Sequence, residues 1–276
     1  MTINCKGKLI TLTSPKVMGI LNLTPDSFFD GGKYKNDRDF LLQTEKMLNE
    51  GATFIDLGAY SSRPNAAHVS ETEELKRIVP IVNLLLKNFP EIIISIDTFR
   101  SSVANETINA GAAIVNDISA GNLDKNMFKT IAKLQVPYII MHMQGTPQTM
   151  QQNPTYKNIT LEIASFFSKK LNQLHQLKVN DVIIDVGFGF GKTIAHNFEL
   201  LKNMAYFKKV NAPILVGISR KSMLYKPLKI SPKEALNATT AAHTIALLNG
   251  ANILRVHDVK EAIETIKITE QLNQFA

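Results

Sequence analysis

The stretch KVMGILNLTPDSFFDGG, residues 16–32, begins as a short apolar strand and then changes character. The run over residues 16–22 ends on the amide of Asn22, and turn-forming residues with two adjacent aromatics, Phe28 and Phe29, follow before a pair of glycines. In parallel-sheet enzymes, functional side chains lie at the carboxyl ends of strands and in the loops that follow them. The stretch therefore predicts a strand that delivers a polar group to a functional loop.

Seven further short runs rich in β-branched residues repeat this pattern, at residues 53–58, 92–98, 113–119, 137–143, 181–187, 213–219 and 252–258. Segments with helical periodicity separate them, among them residues 40–50, 74–88, 125–134, 161–174, 197–210 and 234–250. Strict alternation of strand and helix indicates a parallel sheet that is covered on both faces. Eight such units, with no linker between them, predict an α/β fold in which one (β/α)₈ barrel forms a single domain over residues 1–276.

The composition is that of an ordinary globular protein, with 45% hydrophobic and 20% charged residues. The single cysteine, Cys5, excludes an internal disulfide and a multi-cysteine zinc site, and we interpret it as an incidental residue near a loose terminus. The sequence has no apolar run close to the ~20 residues that span a bilayer and no signal-peptide core at its start. We therefore expect a cytoplasmic protein.

The net charge of +7 suits nucleic acid, a membrane surface or an anionic small substrate. The lysines are scattered through the helical segments rather than gathered in one block, which favours a solvated basic surface. We accordingly expect small-molecule substrates, with neither nucleic acid nor a membrane as partner.

Every predicted strand ends in at least one polar or charged group. These groups are Asn22, Asp56, Asp97, Asn116 with Asp117, His142, Asp185, Ser219 with Arg220 and Lys221, and Arg255 with His257. A buried ring of such groups is destabilising unless its members pair with one another or with a ligand. The mouth of the barrel is therefore predicted to bind something polar.

Two of these groups, Arg255 and His257, stand two residues apart on one strand, so their side chains share a face and can converge on one phosphate. Arg63, in the loop after the second barrel strand, is a candidate third cation. The alternative is that Arg255 pairs with a carboxylate at the end of a neighbouring strand.

Other strand-end groups suit a flat heterocycle. Asp97, Asn116 and Asp185 offer acceptors and an amide for its hydrogen-bonding edge. Lys221 could reach a ring carbonyl or ring nitrogen. The stretch DVGFGFGKT, residues 185–193, matches neither glycine-rich nucleotide motif, because Val186 and Lys192 stand where each needs a glycine. Its glycines instead predict an open strand exit at which a ligand approaches backbone.

Eight ordered stretches together resemble the dihydropteroate synthase family of the folate pathway. They are GILNLTPDSFFDGG, DLGAYSSRPNA, SIDTFR, VNDISAG, MHMQGTPQTMQ, DVGFGFGKT, LVGISRKSML and LRVHDVKEA. The resemblance implies a (β/α)₈ barrel that joins p-aminobenzoate to a dihydropterin pyrophosphate and releases pyrophosphate with the help of Mg²⁺. It also implies sulfonamide binding and a homodimer through outer helices near the C-terminus.

The resemblance also implies site roles. Asp97, Asn116, Asp185 and Lys221 match the pterin-binding set, and Asn22, Arg63, Arg255 and His257 match the diphosphate and metal set, with Asn22 as the Mg²⁺ ligand. The p-aminobenzoate pocket would draw on Phe28, Ser62, Arg63, Pro64, Phe190 and Ser219. The residues expected to act in catalysis are Asp97, Asp185, Lys221, Arg255 and His257. Tyr60, Asn65 and Val186 depart from the family pattern.

Two other functions stay open at this point. A pterin-binding methyltransferase domain would share the barrel and the pterin pocket, but it would not need groups for a diphosphate. A non-catalytic binding protein would keep affinity without turnover. Release of pyrophosphate separates both from the synthase.

Overall fold

The structure, a computed structural model, describes residues 1–23, 37–60 and 69–273. Eight parallel strands in these ranges form the barrel: β3 (Lys16–Asn22), β4 (Phe54–Gly58), β5 (Ile94–Asp97), β6 (Ile114–Asp117), β7 (Tyr138–Met141), β8 (Val182–Asp185), β9 (Ile214–Val216) and β10 (Ile253–Val256). They pair in chain order, and β10 closes the barrel between β9 and β3. Each lies within one of the eight predicted runs, and the predicted barrel is confirmed.

An antiparallel hairpin that the sequence analysis did not predict precedes the barrel, formed by β1 (Thr2–Cys5) and β2 (Lys8–Thr11). Lys6 and Gly7 connect its strands, both at positive φ, as a tight primed turn requires. Cys5 is buried beneath the barrel, where burial and then the charge of Asp181 raise its thiol pKa to about 12. The interpretation of Cys5 as an incidental residue at a loose terminus is therefore wrong.

Helices surround the barrel in the described ranges. They are α1 (Asp37–Asn49), α2 (Glu71–Asn88), α3 (Ser101–Ala110), α4 (Met127–Leu134), α5 (Ile159–Gln176), α6 (Ile194–Lys202), α7 (Ser222–Leu228), α8 (Leu236–Leu248) and α9 (Val259–Asn273), with 3₁₀ turns at Met204–Val210 and Pro232–Glu234. The single helix expected over residues 197–210 is instead split at Asn203, whose amide donates a hydrogen bond to Thr160 on α5. No helix in the described ranges is long and apolar enough to cross a membrane.

The inside of the barrel changes character along each strand. Residues two apart share a face of a strand, so Phe54 lies below Asp56 on β4, and Ile253 lies below Arg255 on β10. The lower side chains form one apolar cluster together with Ile3 and Cys5 of the hairpin and with Leu12, which follows it. The polar groups therefore lie together at the opposite, carboxyl end of the strands.

Candidate active site

Arg255 connects the polar groups at the mouth. Its Nε donates to Asp56 Oδ2 at 2.7 Å, and its Nη2 donates to Asp97 Oδ2 at 2.8 Å. This is the carboxylate pairing that the sequence left open as an alternative. The side chains of Arg255 and Asp97 stay 20% and 23% exposed, so a ligand in the mouth can reach both. Among the described residues, Arg255 Nη1 makes no hydrogen bond, which leaves it available for an anion.

Asp56 is a site residue to which the sequence analysis gave no role. It is fully buried, and its Oδ2 also accepts a hydrogen bond from Asn116 Nδ2 at 3.1 Å. Within the described part of the chain, its Oδ1 is buried without a partner. Asp56 thus fixes both the guanidinium of Arg255 and the amide of Asn116. Its place above Phe54, on the inward face of β4, was the available signal.

Asp97 and Asn22 lie on the two strands that flank Gly58 of β4. The strand register places Gly58 opposite both residues. A Cβ built on Gly58 would lie 3.7 Å from Asp97 Oδ2 and 3.8 Å from Asn22 Oδ1, so both oxygens face the same point. Burial raises the pKa of Asp97 to about 7, against the charge of Arg255 and with the help of Asp56.

Asp185 and Lys221 form the other side of the mouth. Lys221 Nζ donates to the carbonyl of Phe188 and lies 4.8 Å from the centroid of the Phe190 ring. Burial lowers the pKa of Lys221 to about 8, although the Asp185 carboxylate opposes it. Burial raises the pKa of Asp185, while Lys221 and the backbone N–H of Gly187, 2.8 Å from Asp185 Oδ1, oppose the shift.

Ser219 orients His257. The Ser219 Oγ lies 3.1 Å from His257 Nδ1 and accepts the backbone N–H of His257 at 3.3 Å. Burial, and then the charge of Arg255, lower the pKa of His257 to about 3, so the imidazole is neutral at neutral pH. The direction of the hydrogen bond between Ser219 Oγ and His257 Nδ1 depends on the tautomer of the neutral ring. When the hydroxyl donates to Nδ1, the ring proton lies on Nε2. His257 therefore adds no second positive charge to the mouth at neutral pH.

Three other strand-end groups have partners away from this cluster. Asp117 accepts from the Tyr138 hydroxyl at 2.6 Å, and Arg220 pairs with Asp258 at 2.7 Å. His142 packs edge-on against Phe166 of α5, with ring centroids 5.0 Å apart. Successive residues of a strand point to opposite faces, so Asp117 points away from the mouth because its neighbour Asn116 points inward.

At two positions after β8, the structure requires glycine for a reason other than the predicted approach of a ligand. Gly187 has φ +72, and a Cβ there would lie 2.0 Å from the carbonyl oxygen of His142. Gly191 has φ +67, and a Cβ there would lie 2.8 Å from the backbone oxygen of Gln144. The neighbouring loop approaches these positions, so the expectation of a ligand against the backbone is corrected for both.

Four predicted site residues, Phe28, Ser62, Arg63 and Pro64, lie outside the described residues, as does Asn65. Tyr60 is described, and its ring lies 5.0 Å from that of Phe99, edge to face. Within the described ranges, no group of three or more His, Cys, Asp or Glu side chains is placed to hold a metal ion.

Comparisons with known proteins show which family the chain resembles. The family model described as "Pterin binding enzyme" matches residues 18–257. The dihydropteroate synthase of Escherichia coli K12 is 41% identical over 272 residues, which cover 98% of this chain and 96% of that protein. A Yersinia pestis dihydropteroate synthase with a sulfonamide drug superposes with a TM-score of 0.95 at 40% identity, covering 99% and 100% of the two chains. A Xanthomonas albilineans dihydropteroate synthase in complex with 7,8-dihydropteroate gives a TM-score of 0.88 at 30% identity, covering 99% of each chain.

Proposed function

The chain belongs to the dihydropteroate synthases within the pterin-binding enzyme family, and on that basis we propose how its barrel mouth divides the reaction. It is a transferase of folate synthesis that condenses p-aminobenzoate with hydroxymethyl-dihydropterin pyrophosphate. The amine nitrogen attacks the methylene carbon of the pterin, the bond from that carbon to the diphosphate oxygen breaks, and the amine loses one proton to solvent. The substrate supplies both reacting atoms, so no protein nucleophile and no covalent enzyme intermediate is required.

The observation that carries the proposal is the network around Arg255. Arg255 donates hydrogen bonds to Asp97 and to Asp56, and Asp56 also accepts one from the amide of Asn116. Asp185 and Lys221 complete the set on the other side of the mouth. We expect the carboxylates of Asp97 and Asp185 to accept pterin N–H groups and Lys221 to donate to a ring acceptor. Fixed carboxylates also stabilise positive charge that develops on the pterin as the diphosphate leaves.

The diphosphate would lie against Arg255 Nη1 and the Nε2 proton of His257. Arg255 stays charged throughout, since Asp56 and Asp97 raise its pKa further against the effect of burial. A fixed guanidinium and a neutral imidazole donor stabilise the charge that builds on the leaving group. Arg63 is proposed to add a further cation from the loop that lies outside the described residues.

Mg²⁺ fits the donors at Asn22. Mg²⁺ prefers hard oxygen ligands and relies on substrate phosphates and waters, so it does not need a cluster of protein carboxylates. The Asn22 amide oxygen, on the same side of Gly58 as Asp97 Oδ2, is such a donor. A bound ion would supply positive charge to the diphosphate.

The p-aminobenzoate subsite is proposed beside Phe190 and Ser219, which flank Lys221 and His257 in the described structure. Phe28, Ser62 and Pro64 would complete it. Because the Yersinia pestis relative was solved with a sulfonamide drug, we expect a sulfonamide to compete with p-aminobenzoate here.

Product formation tests this function. Wild type should release dihydropteroate and pyrophosphate in equal amounts from the two substrates with Mg²⁺, and Lys221→Ala and Arg255→Ala should lose this activity. Lys129→Ala, on the exposed face of α4, serves as the control for loss of a cation. Pterin binding by wild type without pyrophosphate would instead support a methyltransferase-like or binding-only protein.

We also propose a homodimer through α8 and α9. Ile245 and Leu248 on α8 are 44% and 55% exposed, and Ile268 on α9 is 69% exposed. Exposed apolar side chains on adjacent helices are typical of a covered surface. Sedimentation should show a dimer for wild type and a monomer for Leu248→Glu, whereas a monomeric wild type would contradict the proposal.

A further inference from the structure

Lys192 is a buried lysine at the end of the glycine-rich loop after β8, residues 186–191. Its side chain is almost fully buried. Nζ donates hydrogen bonds to the carbonyl oxygens of Gly187 at 2.7 Å, Phe190 at 2.9 Å and His142 at 3.2 Å. Two of these carbonyls belong to the loop, and the third belongs to His142, the residue that directly follows the neighbouring strand β7. Lys192 therefore joins the loop to the strand beside it.

The chemistry of the contact fits an ammonium group. An ammonium has three N–H donors and no acceptor, which matches three carbonyl oxygens. A neutral amine has two N–H donors and would donate to only two of them. Burial lowers the pKa of Lys192 well below its ordinary value, and the charge of Asp185 opposes that shift. No carboxylate is among the hydrogen-bond partners of Lys192 in the described ranges, so no direct ion pair offsets its burial.

The loop that Lys192 holds carries the contacts of the pterin-binding side of the mouth. The backbone N–H of Gly187 binds Asp185, and the carbonyl of Phe188 binds Lys221. Gly187 packs so closely on the backbone of His142 that a Cβ at this position would lie 2.0 Å from the His142 carbonyl oxygen. Lys192 binds both sides of that contact. Its loss would let the loop separate from β7 and would displace the partners of Asp185 and Lys221 together.

We propose that Lys192 is a positioning residue for the reaction, which fixes the loop that orients Asp185 and Lys221 toward the pterin substrate. This inference rests on the proposed function of the mouth. It does not require Lys192 to touch substrate. The expected effect of removing it is therefore on pterin affinity, because the groups that hold the ring lose their fixed geometry.

The test compares Lys192→Met and Lys192→Gln with wild type. Methionine keeps an apolar chain of similar length and offers no donor, whereas glutamine keeps two N–H donors. We expect KM for the pterin substrate to rise at least tenfold in Lys192→Met and by a smaller factor in Lys192→Gln, with kcat per folded molecule changing less. Lys170→Met is the matched control, since Lys170 is a half-buried lysine on α5 that donates to Asn122 at 2.6 Å, outside the mouth.

Each outcome decides between positioning and a general structural role. A structural role would lower the amount of folded enzyme, and so the apparent kcat, at an unchanged KM. An unchanged pterin KM in a folded Lys192→Met or Lys192→Gln protein, or failure of both variants to fold, would overturn the proposal. If wild type itself forms no product, the proposed function fails, and direct pterin binding by the same variants still tests the role of Lys192.

Discussion

The two ends of the barrel interior are built from the same strands but do different things. At the lower end, the β1–β2 hairpin covers an apolar cluster that includes Ile3, Leu12 and Phe54. At the upper end, two residues further along the strands, Asp56 and Arg255 form a buried ion pair. The apolar end gains free energy from burial, whereas the charged end spends it on desolvation. This fold therefore concentrates its binding chemistry in one layer of the barrel interior, and the other layer stabilises the barrel.

The largest expected effect is that of Arg255→Met. The substitution leaves Asp56 and Asp97 without their guanidinium, and breaking a buried ion pair in this way typically costs about 3–5 kcal/mol. We expect loss of that stability in chemical denaturation and loss of measurable turnover. In the double variant Arg255→Met with Asp56→Asn, stability should recover without activity. Recovery of turnover as well would show that the charge at the mouth is structural.

At the apolar end, Leu12→Ala should affect stability alone. Removal of a buried leucine side chain costs about 2–5 kcal/mol, because the cavity is only partly refilled. The free energy of unfolding should fall by that amount, and both substrate KM values should stay at those of wild type. A changed pterin KM would mean that the two layers are coupled.

The pH dependence of kcat/KM should be bell-shaped, because activity needs the deprotonated carboxylate of Asp97 and the protonated amine of Lys221. Asp97, with a pKa raised to about 7, loses its carboxylate charge as the pH falls below that value, and Lys221, with a pKa lowered to about 8, loses its ammonium above it. We expect close to a tenfold loss of kcat/KM per pH unit on each limb. Leu12→Ala should keep both limbs, and the residual activity of Asp97→Asn should lack the acidic one.

Asp97 and Lys221 should make the free energy of unfolding depend on pH in opposite directions. The folded pKa of Asp97 lies above that of the unfolded chain, so its protonation favours the folded state, and its contribution is lost as the pH rises through about 7. The folded pKa of Lys221 lies below that of the unfolded chain, so stability from this group rises as the pH increases above about 8. Parallel trends in stability and activity would contradict this assignment of the two limbs.

The smallest expected effect is that of Ser219→Ala. The variant removes the hydroxyl that binds His257 Nδ1, a contact worth about 1 kcal/mol. We expect kcat/KM to fall roughly fivefold, which is the factor that this energy gives, with little change in the melting temperature. Ser165→Ala, on the exposed face of α5, is the control. Unchanged kinetics in Ser219→Ala would show that His257 does not need this orientation.

The sequence predicted the barrel because its strands are apolar on both faces and recur with helices between them. The hairpin was missed because Lys6–Gly7 is not one of the dipeptides typical of a two-residue hairpin turn, and residues 8–11 (KLIT) do not alternate in polarity. The break at Asn203 depends on a side-chain contact with α5, which no local pattern shows.

The residue types of the site were predictable, but their pairing was not. Sequence spacing placed Arg255 and Asp97 at strand ends without showing that they bind each other. The neutral state of His257 arises from burial beside Arg255, and the role of Asp56 arises from contacts with two other strands. In the sequence, Lys192 stands only at the end of a glycine-rich stretch that matches no nucleotide motif. Its partners are backbone carbonyls, which any sequence provides, so no residue pattern indicated its role.

The most direct test of the account is pyrophosphate release per folded molecule by Leu12→Ala and Arg255→Met, measured with both substrates and Mg²⁺ beside wild type. Both variants are expected to lose several kcal/mol of stability, so the folded fraction is determined for each before the rates are compared. We predict a wild-type rate for Leu12→Ala and no pyrophosphate release by Arg255→Met. A wild-type rate in folded Arg255→Met, or no pyrophosphate from wild type, would contradict it.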